Sequence, residues 1–82
     1  MPELMQKEVL KAIAQGYKLE YVDTARAVYM KQKDTVLIDV RLKDDTYVYG
    51  MIDSLNNLWL LDPWEWLQKG GLQVVAAEKG VN

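Results

Sequence analysis

Residues 36–65, VLIDVRLKDDTYVYGMIDSLNNLWLLDPWE, decide how this chain folds. Val36, Ile38, Val40 and Leu42 share one parity while Asp39, Arg41 and Lys43 take the other. That period of two belongs to a half-buried strand. Lys43, Asp44, Asp45 and Thr46 carry turn chemistry. Beyond them Val48, Gly50 and Ile52 resume the inward face, Asn56 and Asn57 mark a second turn, and residues 58–61 form a short continuous apolar strand. Three strands joined by short turns predict a bent antiparallel meander, with Gly50 at the bend, where no Cβ stands in the way.

Upstream, the period changes. Leu4, Met5, Val9, Leu10, Ile13 and Ala14 recur at three- and four-residue intervals, Pro2 suits a first helical turn, and Gln15-Gly16 reads as a C-terminal cap. A helix is predicted there. Leu19, Val22, Arg26 and Tyr29 mark one helical face, so a second helix is the favoured reading of residues 17–33, with a strand over residues 18–22 as the competitor. Lys31, Gln32, Lys33 and Asp34 read as a polar linker. The division that follows is a helical segment over residues 1–33 and a β-barrel over residues 34–82, within a single domain.

Eighty-two residues give a small core, and chains of this size often gain stability by association. Half of the residues are apolar. Phe is absent, so Tyr17, Tyr21, Tyr29, Tyr47, Tyr49, Trp59, Trp64 and Trp66 carry all the aromatic area, in side chains suited to half-buried positions and subunit contacts. Cys and His are both absent, which removes disulfides, the usual zinc sites and any Ser–His or Cys–His nucleophile pair. Ser54 is the only serine. No catalytic set, no metal site and no cofactor is expected. The start MPELMQKEVLK lacks an apolar signal-peptide core, and no apolar run is long enough to span a membrane, so a cytoplasmic protein without a membrane partner is expected.

Charge is uneven. Residues 1–33 hold six cationic and four acidic side chains, whereas residues 34–66 hold seven acids against Arg41 and Lys43. Nucleic-acid affinity comes mainly from phosphate neutralisation, so a meander this acidic needs its few cations concentrated in one place.

The spacing of the central stretch resembles the first motif of the Sm and Sm-like (LSm) proteins, including their Hfq-like bacterial branch. Ile38-x-Val40-x-Leu42, Gly50 eight residues on and Ile52 two beyond meet that pattern. Asn57-Leu58-Trp59-Leu60-Leu61-Asp62-Pro63-Trp64-Glu65 is similar to the family's following strand, and Lys69-Gly70-Gly71-Leu72 with Val74-Val75 to its second motif. The resemblance covers residues 34–77. It implies a mainly β fold: a small, SH3-type, five-stranded bent barrel preceded by one or two N-terminal helices.

It also implies a homo-oligomeric ring of roughly five to seven subunits, closed head-to-tail by strand pairing. Trp64, Trp66, Leu72, Val74 and Val75 would lie at the subunit interface. Single-stranded RNA would meet Asn56, Asn57, Lys69 and Gly70 at the pore. The loop bearing Asn57 is three residues short; without a gap, Asn56 takes the family's aspartate position, Leu58 its base-stacking position and Leu60 its asparagine. Under either alignment the RNA-contact set is incomplete. The alternative is a structural or protein-interaction ring, of phage or mobile-element type, without RNA binding.

Three smaller motifs point nowhere else. Leu37-Ile38-Asp39-Val40-Arg41 is similar to the strand that opens rhodanese domains, a fold that needs a catalytic cysteine and on the order of a hundred residues or more. Asp44-Asp45 is a solvated turn, its side chains pointing apart. Trp64-Glu65-Trp66, read as a strand, puts both indoles on one face, for packing or subunit contact or for stacking on a base.

Overall fold

The computed structural model describes residues 2–78. The chain runs α1 (Glu3–Ala14), β1 (Val22–Met30), β2 (Thr35–Leu42), β3 (Tyr47–Ile52), β4 (Leu58–Leu61), α2 (Pro63–Trp66) and α3 (Leu72–Glu78). The four strands form one antiparallel meander in chain order. Helices cover both of its faces.

β2 is the spine. Its even residues Ile38, Val40 and Leu42 face α1, where they pack with Val9, Leu10 and Val48. Its odd residue Leu37 points the other way, is 0% exposed, and packs with Met51, Trp66 and Val74. A strand buried on both faces must also satisfy its backbone on both edges. β3 pairs along one edge, Ile38 opposite Gly50 and Val40 opposite Val48. β1 pairs along the other, Ala27 opposite Ile38 and Val28 opposite Leu37.

The expected second helix over residues 17–33 is therefore corrected: its main part is strand β1, lying beyond the competing strand at residues 18–22. Leu19, Val22, Arg26 and Tyr29 fit a helical stripe, but Arg26, Val28 and Met30 fit a strand equally well. Demand from β2 decides between them. Residues 31–34 are the β1–β2 hairpin turn rather than a linker, with Asp34 at φ 51°. The N-terminal helix stands as expected, and Gly16 follows its C-terminus at φ 86°.

Gly50 serves close approach. A Cβ there would lie 2.4 Å from Leu10 Cδ1 and 3.0 Å from the Trp59 carbonyl oxygen, so α1 docks onto β3 only because none is present.

After β4 the expectation of further strands fails. Asp62 accepts the Glu65 amide at 2.8 Å, the Glu65 carboxylate accepts the Asp62 amide at 3.2 Å, and Pro63 opens the first turn. That is a capping box with proline at the first helical position, and it starts a helix. Trp64 and Trp66, expected on one face of an edge strand, stand on α2 instead. Trp66 is 2% exposed in the second core and Trp64 is 67% exposed.

Residues 67–71 continue from α2 into a kink at Gly70, φ 135°, and α3 leaves in a new direction. Leu72, Val74 and Val75, expected in a fifth strand, lie in α3. Val74 is 8% exposed in the second core, whereas Leu72 is 63% exposed. The five-stranded barrel is thus corrected to a four-stranded open sheet between two helical layers. The strand pairing expected to close a ring has no fifth strand to use among the described residues.

Candidate functional site

A groove of about 400 Å³ opens between the β1–β2 hairpin and the α3 helix. Val28, Met30, Val74 and Ala77 give it an apolar lining, Gly70 closes one end, and Lys31 and Lys33 stand on the hairpin side. Lys33 reaches across: its ammonium donates to the Lys69 carbonyl oxygen at 3.4 Å. Two hairpin lysines and the backbone of Lys69, from two distant parts of the chain, thus converge on one end of the molecule.

Local structure accounts for the convergence. The tight turn needs a residue with positive φ, which Asp34 provides. The Asp34 carboxylate accepts the Tyr29 hydroxyl at 3.0 Å, and this hydrogen bond, reinforced by the negative charge, raises the Tyr29 pKa. On the opposite lip, Gly70 permits the kink that presents Lys69 beside the hairpin. A Cβ on Gly70 would lie 2.8 Å from Met30 Cε and 3.3 Å from Leu37 Cδ1, so the kink fits tightly against the sheet.

The four expected RNA contacts are not brought together. Gly70 lines this groove, and the Lys69 carbonyl oxygen meets Lys33 at its edge. Asn56 and Asn57 border a different one, with Leu4, Lys7, Glu8 and Lys11 of α1, and the two grooves share no lining residue. Asn57 is also engaged in its own turn. The Asp53 carboxylate accepts the Leu55 amide at 2.9 Å, the Asn57 amide at 2.8 Å, the Asn57 side-chain nitrogen at 3.3 Å and the Trp59 indole N–H at 2.9 Å. These bonds, the Trp59 one foremost, hold the Asp53 carboxyl below its ordinary 3.8. Asn56 sits at φ 67°, where asparagine is tolerated. Both asparagines therefore have turn-forming work to do.

Lys31 and Lys33 escaped the sequence reading because a polar turn and a polar linker look alike. Only the β1 assignment, through alternation at Arg26, Val28 and Met30, exposes them as the tip of a hairpin.

A second polar cluster lies under α2 and α3. Arg26 on β1 makes two 2.9 Å hydrogen bonds to Asp39 on β2, a fork-to-fork pair. Glu78 approaches the same guanidinium, which also lies 6.0 Å from the Trp66 ring centroid. Asp39 chiefly, with Glu78, raises the Arg26 pKa. Tyr49, whose pKa burial raises, packs on Trp66 with ring centroids 5.3 Å apart. The cluster clasps the C-terminal helices onto the sheet. Among those residues there is also no grouping of His, Cys, Asp or Glu suited to a metal ion, and no helix long and apolar enough to cross a membrane.

No family model, no curated protein and no solved structure matches this chain. The groove and its lysines therefore carry the functional argument on their own.

Proposed function

We propose that this domain is a non-catalytic module that binds single-stranded RNA in the groove between the β1–β2 hairpin and α3. The observation that carries it is the pair of hairpin lysines, Lys31 and Lys33, beside an apolar floor, with the Lys69 backbone against Lys33, on a chain whose net charge is −2. Cations gathered at one end give a local positive field that the overall charge hides. Single-strand binders combine such a field along the backbone with apolar or aromatic surface for the bases. Three phosphate contacts would give weak, salt-sensitive binding, with a slope of log affinity against log salt of about −2.

Distant kinship with the Sm-like proteins is part of the proposal. It is supported by Ile38, Val40, Leu42 and Gly50 at that family's spacing and by a helix stacked on the meander that follows it. In this account α3 stands where the family has its fifth strand, and the pore contacts are replaced by the groove. Fluorescence anisotropy with labelled U-rich and A-rich oligonucleotides, at about 50 and about 200 mM salt, tests it. Binding that weakens with salt supports the proposal. Absence of binding at the lower salt favours a protein-interaction module, to which the exposed Trp64 and Leu72 would then belong.

A further inference from the structure

Different residues of the groove between the β1–β2 hairpin and α3 suit different parts of a nucleotide. Val28 and Met30 on β1 are half-buried, and Val74 and Ala77 continue their apolar surface onto α3. The lining side chains able to hydrogen-bond are few. Lys31 and Lys33 only donate, and they carry charge, so they suit phosphates and read no sequence. The Tyr29 hydroxyl is already given to Asp34. Two amides remain, Gln32 and Gln73, each with a donor and an acceptor side by side. Gln32 stands in the exposed turn between the two lysines, where a strand's backbone would pass. Gln73 is exposed on α3, next to Val74 and one turn from Ala77, where a base would lie.

We propose that Gln73 sets the base preference of the groove and that the preferred base is adenine. This rests on the reading of the groove as an RNA site. A glutamine amide matches the adenine edge with both of its groups: its carbonyl oxygen accepts from the N6 amino group and its nitrogen donates to N7. A purine also covers more of the apolar surface than a pyrimidine does, so burial favours the same base. A groove of about 400 Å³ admits it. The fold holds the amide in place from both sides. Val74, the next residue, is buried in the second core, and Gly70, which turns the chain into α3, sits tightly against Met30. The lysines then supply salt-sensitive affinity for any sequence, and Gln73 supplies the discrimination.

Fluorescence anisotropy with labelled A-rich, U-rich and C-rich oligonucleotides of equal length tests this. The unaltered protein should prefer the A-rich strand to the U-rich one roughly tenfold, the lower end of what an amide–adenine pair contributes. Gln73→Leu should erase that preference by weakening A-rich binding alone, with U-rich affinity and the salt slope unchanged. Gln73→Glu removes the donor to N7 and leaves an acceptor for the cytosine amino group, so it should move the preference toward the C-rich strand. Gln32→Leu should leave the A-to-U ratio as it was. An A-rich strand carrying 7-deazaadenine, which lacks the N7 acceptor, should lose its advantage on the unaltered protein and be indifferent to Gln73→Leu. Salt-sensitive binding with no preference for adenine, a preference that survives Gln73→Leu or 7-deazaadenine, or a loss shared equally by A-rich and U-rich strands would overturn the proposal and leave the RNA reading standing. Failure of every oligonucleotide to bind would overturn both.

Discussion

The Lys33 ammonium lies 3.4 Å from the Lys69 carbonyl oxygen, although the two residues are 36 positions apart in sequence. The contact ties the tip of the β1–β2 hairpin to the kink before α3. It also brings the Lys69 backbone beside the hairpin that carries Lys31 and Lys33, which no separate assignment to a linker and a pore would do.

The three lysines should consequently behave alike. Lys31→Ala, Lys33→Ala and Lys69→Ala should each weaken oligonucleotide binding and each reduce the salt slope by about 0.7, the value for one phosphate contact on a single strand. Lys18→Ala, on the loop beside Gly16 and Leu19, should leave both unchanged. Anisotropy titrations at several salt concentrations measure this. A loss confined to Lys69→Ala would mean the hairpin lysines take no part.

Val74 and Leu72 should part company. Both were expected in a subunit interface, yet Val74 fills the second core and Leu72 faces solvent. Val74→Lys buries an unpaired charge and should cost about 3 kcal/mol or more. Leu72→Lys should stay within about 0.5 kcal/mol. Urea denaturation of both variants checks the contrast.

Gly70 and Gly16 differ in kind. Each has positive φ, 135° and 86°, but only Gly70 has neighbours where a Cβ would go. Gly16→Ala should cost about 1 kcal/mol from backbone strain alone. Gly70→Ala adds the clash with Met30 and should cost roughly 2–3 kcal/mol, and it should weaken RNA binding by displacing Lys69. Thermal melts, with binding measured well below the transition, separate the two effects.

Asp53 sets part of the acid sensitivity. Its folded pKa is depressed below 3.8, first by the Trp59 indole hydrogen bond and then by the backbone amide of Asn57. A depressed carboxyl stabilises the fold above its unfolded pKa, and that contribution is lost as pH falls through the folded value. Stability should hold from neutrality down to about pH 4 and then decline. Asp44, depressed chiefly by its Thr46 hydrogen bond, adds to the same limb. Asp53→Asn should flatten the decline in part, as read by tryptophan fluorescence during acid titration.

Much of the meander was legible because its periodicity is local. Ile38, Val40 and Leu42 alternate within one strand, and the apolar run at residues 58–61 sits between clear turns. The second helical layer was not legible from that pattern, although Leu37 and Met51 carried its signature: apolar side chains on the face that should have been polar. Asp62-Pro63-Trp64-Glu65 held a complete capping box, outweighed by the expectation of a strand. β1 was ambiguous because Arg26 and Tyr29 satisfy a helical spacing, and its resolution came from β2, whose second edge needed a partner. The lysine cluster depends on tertiary structure throughout. Lys33 meets the Lys69 backbone only after the hairpin forms and Gly70 turns the chain.

The most direct measurement is an amide-resolved NMR titration of the ¹⁵N-labelled protein with a U-rich oligonucleotide at about 50 mM salt. Binding at the groove predicts shifts concentrated at Lys31, Lys33, Lys69, Gly70 and Gln73, with Asn56 and Asn57 unmoved. Shifts centred on Asn56 and Asn57, shifts spread over lysines throughout the chain, or a spectrum that does not respond would contradict it.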